Sequence, residues 1–226
     1  MIRALTLPRA LGRFSGRLRR DRSGLALIEF AFTMPIVFTI GMYGVEVGNL
    51  ALANMRISQI ALTLADNASR VGESSALSLK QLREADLNDI LQGARLQSES
   101  YEVTKRGRIT LSSLQRNADG GQWIMWQRCL GVKPYDTSYG KEGDGAVGKP
   151  VITGMGPAGK QVTAPPDSAV IFVEIQYDYK PVIGQWLVGN KRIAYTAAFI
   201  VRDKRDLTKI YDTSAATAQT CDKHTA

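Results

Sequence analysis

The sequence predicts an α+β chain: a long N-terminal helix that starts in a membrane and continues out of it, then a short helix and an antiparallel sheet of about four strands. Three patterns carry this reading. Residues 25–45, LALIEFAFTMPIVFTIGMYGV, hold a single charge, Glu29. Leu50, Ile57, Leu64 and Val71 then recur every seven residues, which makes one apolar stripe along a helix. Residues 169–179 and 192–201 alternate apolar and polar positions, the period of a half-buried strand. With 44% hydrophobic residues and 8 prolines in 226, the composition fits neither a disordered chain nor a collagen-like repeat.

Residues 1–24 contain seven arginines and one acid, so +6 of the formal +8 charge sits there and the other 202 residues carry only +2. A duplex-binding domain needs a basic face on its folded body to displace counterions from phosphates. Here the charge is confined to the chain end, and nucleic acid is not an expected partner. The apolar run of 21 residues makes a helix about 30 Å long, the thickness of a bilayer's hydrocarbon core. Arginine-rich flanks stay cytoplasmic by the positive-inside rule, which places everything after Val45 outside. In a bacterium this is a single-pass inner-membrane protein with a periplasmic body.

Three fates compete for the segment. It is an ordinary anchor, a secretory signal cut near Ala51-Leu52-Ala53, or a span whose basic leader is cut after Gly24. A signal needs an apolar region of about 7–15 residues, and this one is longer. Glu29 points to the third fate. A carboxylate at the centre of a spanning helix costs roughly 2.5–3.5 kcal/mol, so a helix that keeps one usually has a partner for it. Cleavage between Gly24 and Leu25 creates an α-ammonium one turn away, aided by the positive end of the helix dipole.

Arg22-Ser23-Gly24, then Leu25-Ala26-Leu27-Ile28-Glu29-Phe30-Ala31 and Pro35, resembles the prepilin-like proteins, whose basic leader is removed after a glycine and whose fifth mature residue is glutamate. Within that class the E-F-A-x-x-x-P run resembles the TadE/TadF-type minor pilins, or pseudopilins, of tight-adherence (Flp-type) pili, a branch of the type IV pilus group. The likeness covers about residues 19–72 and reaches the remainder only in general layout. It implies a pilin-like fold and cleavage by a prepilin peptidase, with Gly24 and Leu25 flanking the cut. It also implies assembly with other pilin and pseudopilin subunits through Glu29. Major subunits of such pili commonly carry Tyr after the glutamate and are much shorter; Phe30 and the large body here imply a minor or assembly role.

Ala53, Ile60, Ala61 and Ala68 flank the apolar stripe, and Asn49, Arg56, Asn67 and Arg70 lie opposite. One helix over 25–71, ending at Gly72, is therefore expected. Gly41, Gly44 and Gly48 put small residues on one helix face, which allows two backbones to approach in lipid, although glycine is also simply common in spans. Pro35 removes one helical hydrogen bond. Glu46 is expected at the far interface among headgroups.

The expected domains are a basic cytoplasmic leader (1–24), a transmembrane and exported helix (25–71) and an extracytoplasmic α+β body (72–226). In the body, Leu79, Leu82, Leu87, Ile90, Leu91 and Ala94 give a helical face over 79–96, with Ser78 and Gln81 in capping-box spacing. Weaker strand patterns occupy 101–114, interrupted by Gly107, and 122–130, where Trp123, Met125 and Cys129 share a face. Strands separated by turns and not by helices favour an antiparallel sheet, expected to pack on the exported part of the long helix.

Two phosphate-loop patterns fail on context. GDGAVGK at 143–149 is followed by Pro150 where Ser or Thr should hold magnesium, and Gly154-Met155-Gly156-Pro157-Ala158-Gly159 does not lead into a helix. The glycines over 140–159 suggest a flexible surface loop or partner-binding tip. The only histidine, His224, lies three residues from the end, which leaves no internal base for a nucleophile. No enzyme activity, metal or cofactor is expected. Cys129 and Cys221 form an even pair in an oxidising compartment and are expected to bond, the alternative being two buried thiols.

Overall fold

The computed structural model describes residues 16, 19, 23–75, 78–211 and 216–226. The basic leader lies outside them except for Gly16, Arg19, Ser23 and Gly24. Helix α1, Ser23–Arg70, runs for 48 residues with Pro35 inside it. Gly72, at φ +139°, turns the chain just beyond its end. The chain divides into two compact units, Met1–Val47 and Gly48–Ala226, and the boundary falls within α1.

The first unit holds the apolar run. Leu27, Phe30, Phe32, Ile36 and Ile40 all lie open on the helix surface, and this is the one helix among the described residues long and apolar enough to cross a membrane. Exposure of apolar side chains all round a helix is the pattern of a segment meant for lipid or for other helices. Its hydroxyls are satisfied locally: Thr39 Oγ1 donates to the Pro35 carbonyl at 2.7 Å, as hydroxyls in spanning helices commonly do.

In the second unit, the same helix changes role. Ala53, Ile57, Ile60, Ala61, Leu64 and Ala68 are all buried in one core, with Leu50 and Val71 at its margin, so the seven-residue stripe is the face laid against the sheet. A fully buried Ile or Leu contributes about 1.5–3 kcal/mol. The sheet is antiparallel throughout, in the order β4-β3-β5-β6, from β3 (Gly107–Arg116), β4 (Gln122–Leu130), β5 (Ala169–Asp178) and β6 (Arg192–Ile200). Ile109 and Leu111 of β3 and Ile171, Val173 and Ile175 of β5 meet the helices.

Between α1 and the sheet come β1 (Glu73–Ser75) and β2 (Ser78–Gln81), then α2 (Glu84–Gln97), a 3₁₀ turn (Glu99–Tyr101) and α3 (Val103–Arg106). The helix expected over 79–96 therefore begins later, and Ser78 and Gln81 do not cap it. They form a strand that pairs with β1, and the following segment bonds to 204–211, with Asp206 N donating to Lys80 O at 2.8 Å and Tyr211 N to Leu82 O at 2.7 Å. Backbone partners distant in sequence outweigh the local helical pattern.

The start of α2 is held by Asp86. It accepts from the Arg83 N–H at 3.0 Å and from the Arg83 guanidinium at 2.8 Å. Burial pushes the Asp86 carboxyl upward, but the hydrogen bonds and charge of Arg83 outweigh this and hold its pKa below the ordinary carboxylate value. The contribution is thus present above the ordinary pKa and lost as pH falls through the lowered one. Asp86→Ala should cost about 1 kcal/mol at neutral pH, a difference that urea titrations should find shrinking on acidification.

Two further expectations change. Tyr101 closes the 3₁₀ turn, Glu102 is left-handed at φ +52° and Val103–Arg106 is helical, so β3 starts only at Gly107, where a Cβ would stand 2.2 Å from the Gln176 carbonyl. In β4, Ser113 pairs with Trp126 but Leu114 with Ile124, which leaves Met125 as an extra residue. This bulge reverses the alternation, so Met125 packs with the helix-side core and does not share a face with Cys129.

Candidate functional site

The sequence-predicted residues fall into three places. Gly24 and Leu25 lie in the first turn of α1, where backbone N–H groups lack helical partners. Glu29 and Phe30 follow one turn on, and all four are exposed. A carboxylate at the i+4 position from Leu25 faces the same side of the helix as that residue's backbone nitrogen. Gly41, Gly44 and Gly48 share one helix face, and at each a Cβ would meet no atom within 4 Å. No described residue of the chain packs on this smooth strip.

The third place is the C-terminal tail. Cys129 and Cys221 form a disulfide, with Cα atoms 4.8 Å apart and a sequence separation of 92. Around it the tail closes the outer edge of β4, with Cys129 N donating to Gln219 O at 2.7 Å and Gly131 N to Thr225 O at 2.6 Å. Arg108 reaches the tail from the adjacent strand. Its guanidinium donates to the carbonyls of Gly131 at 3.0 Å and Lys223 at 3.2 Å, and to Cys221 O and His224 Nδ1. Burial lowers the Arg108 pKa, while the charges of Asp136 and Asp222 support its cationic form.

The glycine-containing loop is not a loose tip. Tyr139, Ile152, Met155, Val162 and Ala164 cover the second face of the sheet over Leu114, Ile124, Val170 and Phe172. As a result β5, expected to be half-buried, is covered on both faces. Within GDGAVGK, Gly143 N donates to Ile124 O at 2.8 Å and Asp144 O accepts from Ile124 N at 2.9 Å, so this backbone is engaged by β4. Met155 and Val162 pair as a short bridge across the second glycine motif.

Glu174 anchors the approach to this loop. It accepts from Thr137 Oγ1 at 3.0 Å, from Ser138 N at 3.0 Å and from Ser138 Oγ at 2.6 Å. In the alternation of residues 169–179 Glu174 falls at a polar position, yet its partners lie 36 and 37 residues away. Arg128 was missed for the same reason, and it is buried in an ion pair with Glu84 of α2. A charge inside an otherwise apolar strand was the one available signal for either. Among the described residues, no cluster of three or more His, Cys, Asp or Glu is arranged to hold a metal. No protein-family model, curated protein or solved structure matches this chain.

Proposed function

We propose that this chain is a minor pilin or pseudopilin of the TadE/TadF-like kind. It would be inserted in a bacterial inner membrane with its basic leader inside, cut after Gly24 by a prepilin peptidase, and assembled through α1 with other pilin subunits of a tight-adherence pilus. The observation that carries the reading is the division of labour along α1. Its first half exposes apolar side chains all round and carries one acid, Glu29, at the fifth position after Gly24, while its second half supplies the core of an α+β body. The unfilled strip at Gly41, Gly44 and Gly48 suits close approach of a neighbouring subunit's helix. In this role the protein is a substrate of processing, and its own work is structural.

The deciding measurement is the intact mass of chain extracted from membranes. Removal of the leader takes away 24 residues and leaves Leu25 as the first residue. Gly24→Phe should leave the leader attached in essentially all molecules, and a wild-type chain that still begins at Met1 would overturn the reading. That outcome would favour an uncleaved envelope anchor carrying a binding or scaffold body. One feature suits such a body: among the described residues, no backbone hydrogen bond meets the outer edge of β6, and open edges accept added strands.

A further inference from the structure

At one end of the sheet, where β3 and β6 begin and β4 and β5 end, a cavity of about 550 Å³ is lined by Lys105, Arg106, Lys133, Lys191 and Arg192 with the single acid Asp178. Residues 48–226 contain 22 basic and 18 acidic residues, a net +4. The cavity lining alone accounts for that excess, with five cations to one anion, so the remainder of the body is neutral. Asp178 is shared: Arg192 Nε lies at 3.2 Å, Lys133 Nζ at 3.6 Å, and the Tyr135 hydroxyl donates to it. Lys105 is paired with Glu102 at 3.4 Å, a carboxylate that Lys180 also approaches at 3.9 Å. The two carboxylates still leave the cations at this end in excess, and the geometry calls for a further anion.

The position of the cavity names the class of anion. Tyr179, on its wall, accepts a hydrogen bond through its hydroxyl from Asn49 Nδ2 at 2.5 Å. Asn49 stands four residues after the end of the apolar run 25–45, whereas the other end of the sheet adjoins the far end of α1, where Arg205 bonds the carbonyls of Ala68 and Ser69. The basic end is therefore the end at which the chain leaves the apolar segment. Beside the cavity, the segment before β6 exposes Trp186, in the short helix Gln185–Val188, at 69% and Val182 at 65%. Gly184 has no Cβ to displace the Trp186 indole, which a Cβ there would meet at 2.8 Å. Exposed tryptophan next to lysine and arginine is the composition of a surface that rests at headgroup level.

We propose that this end of the body docks on the bilayer from which α1 emerges, with the cavity taking the phosphodiester headgroup of an anionic phospholipid and Trp186 entering the interface beside it. The proposal rests on reading 25–45 as a membrane span and is independent of cleavage after Gly24. The span itself is checked by alkaline carbonate extraction: release of the chain from membranes would overturn the span, whatever its lipid preference.

The test is native mass spectrometry of the full chain in neutral detergent with added phosphatidylglycerol or phosphatidylcholine. Phosphatidylglycerol should be retained preferentially, and Lys105→Gln, Lys133→Gln and Lys191→Gln should each weaken retention about five-fold. The matched changes Lys149→Gln, Lys160→Gln and Lys209→Gln, at exposed sites away from the cavity, should leave it unaltered. Equal retention of the two lipids, or equal loss in both lysine sets, would overturn the proposal. So would competition by millimolar inorganic phosphate, which would make this a soluble-phosphate site. A second readout does not depend on the lysine variants: in nanodiscs holding lipid brominated near the headgroup, emission should be quenched in wild type and not in Trp186→Phe, and equal quenching would contradict the docking.

Discussion

Glu29→Val should leave removal of the leader intact and reduce incorporation into pili by on the order of ten-fold or more. The side chain is exposed on α1, so the helix and the body should form as before, and valine makes insertion into lipid easier. What disappears is the charge that a freshly made α-ammonium would meet. A carboxylate deep in a bilayer is disfavoured by roughly 2.5–3.5 kcal/mol, and most of that is recovered only when it finds a cation. Since 1.4 kcal/mol is a factor of about ten, even partial loss of the pair should be visible in the sheared surface fraction. Glu29→Gln keeps the shape and hydrogen-bonding capacity without the charge and should behave like valine; Glu29→Asp should retain part of the function. Normal incorporation of Glu29→Val would remove the ion-pair argument, and an uncut leader in that variant would move the role of Glu29 from assembly to processing.

The parts of this molecule legible in the sequence are those set by neighbours a few residues away. Helix α1 could be read because hydropathy over 25–45 and the stripe Leu50, Ile57, Leu64 and Val71 are local periodicities, and β5 and β6 because alternation survives along them. The start of α2 could not, because 80–84 exchange backbone bonds with 204–211. Nor could the bulge at Met125, since whether a strand carries an extra residue depends on its partner. The glycines over 140–159 read as a loose loop because turn composition is visible in a sequence and the sheet face they cover is not. The basic cavity was hidden for the same reason: its cations come from α3, the end of β4 and the start of β6, and gather only once the sheet has formed.

Reduction of the disulfide between Cys129 and Cys221 should produce the largest stability loss of any change in the body. The bond closes a loop of 92 residues, which in the chain-entropy account contributes about 3–5 kcal/mol by restricting the unfolded ensemble. The same loop contains β5, β6 and the segment over the second sheet face, so every element it spans is affected through the unfolded state. The folded geometry should nevertheless persist after reduction. Arg108 still holds the tail carbonyls, and the backbone bonds from Cys129 and Gly131 to Gln219 and Thr225 do not involve sulfur. The expected result is a native circular-dichroism spectrum at 25 °C with an unfolding midpoint lowered by roughly 10 °C, and the same shift in a Cys129→Ser/Cys221→Ser double variant. Arg108→Met in the oxidised protein separates the two restraints: it leaves the covalent closure in place and removes the donors, so the tail should become exchange-labile while the midpoint falls less than on reduction. An unfolding midpoint insensitive to reductant, in protein whose thiols alkylate only after reductant is added, would mean that the unfolded chain is already restricted without the bond.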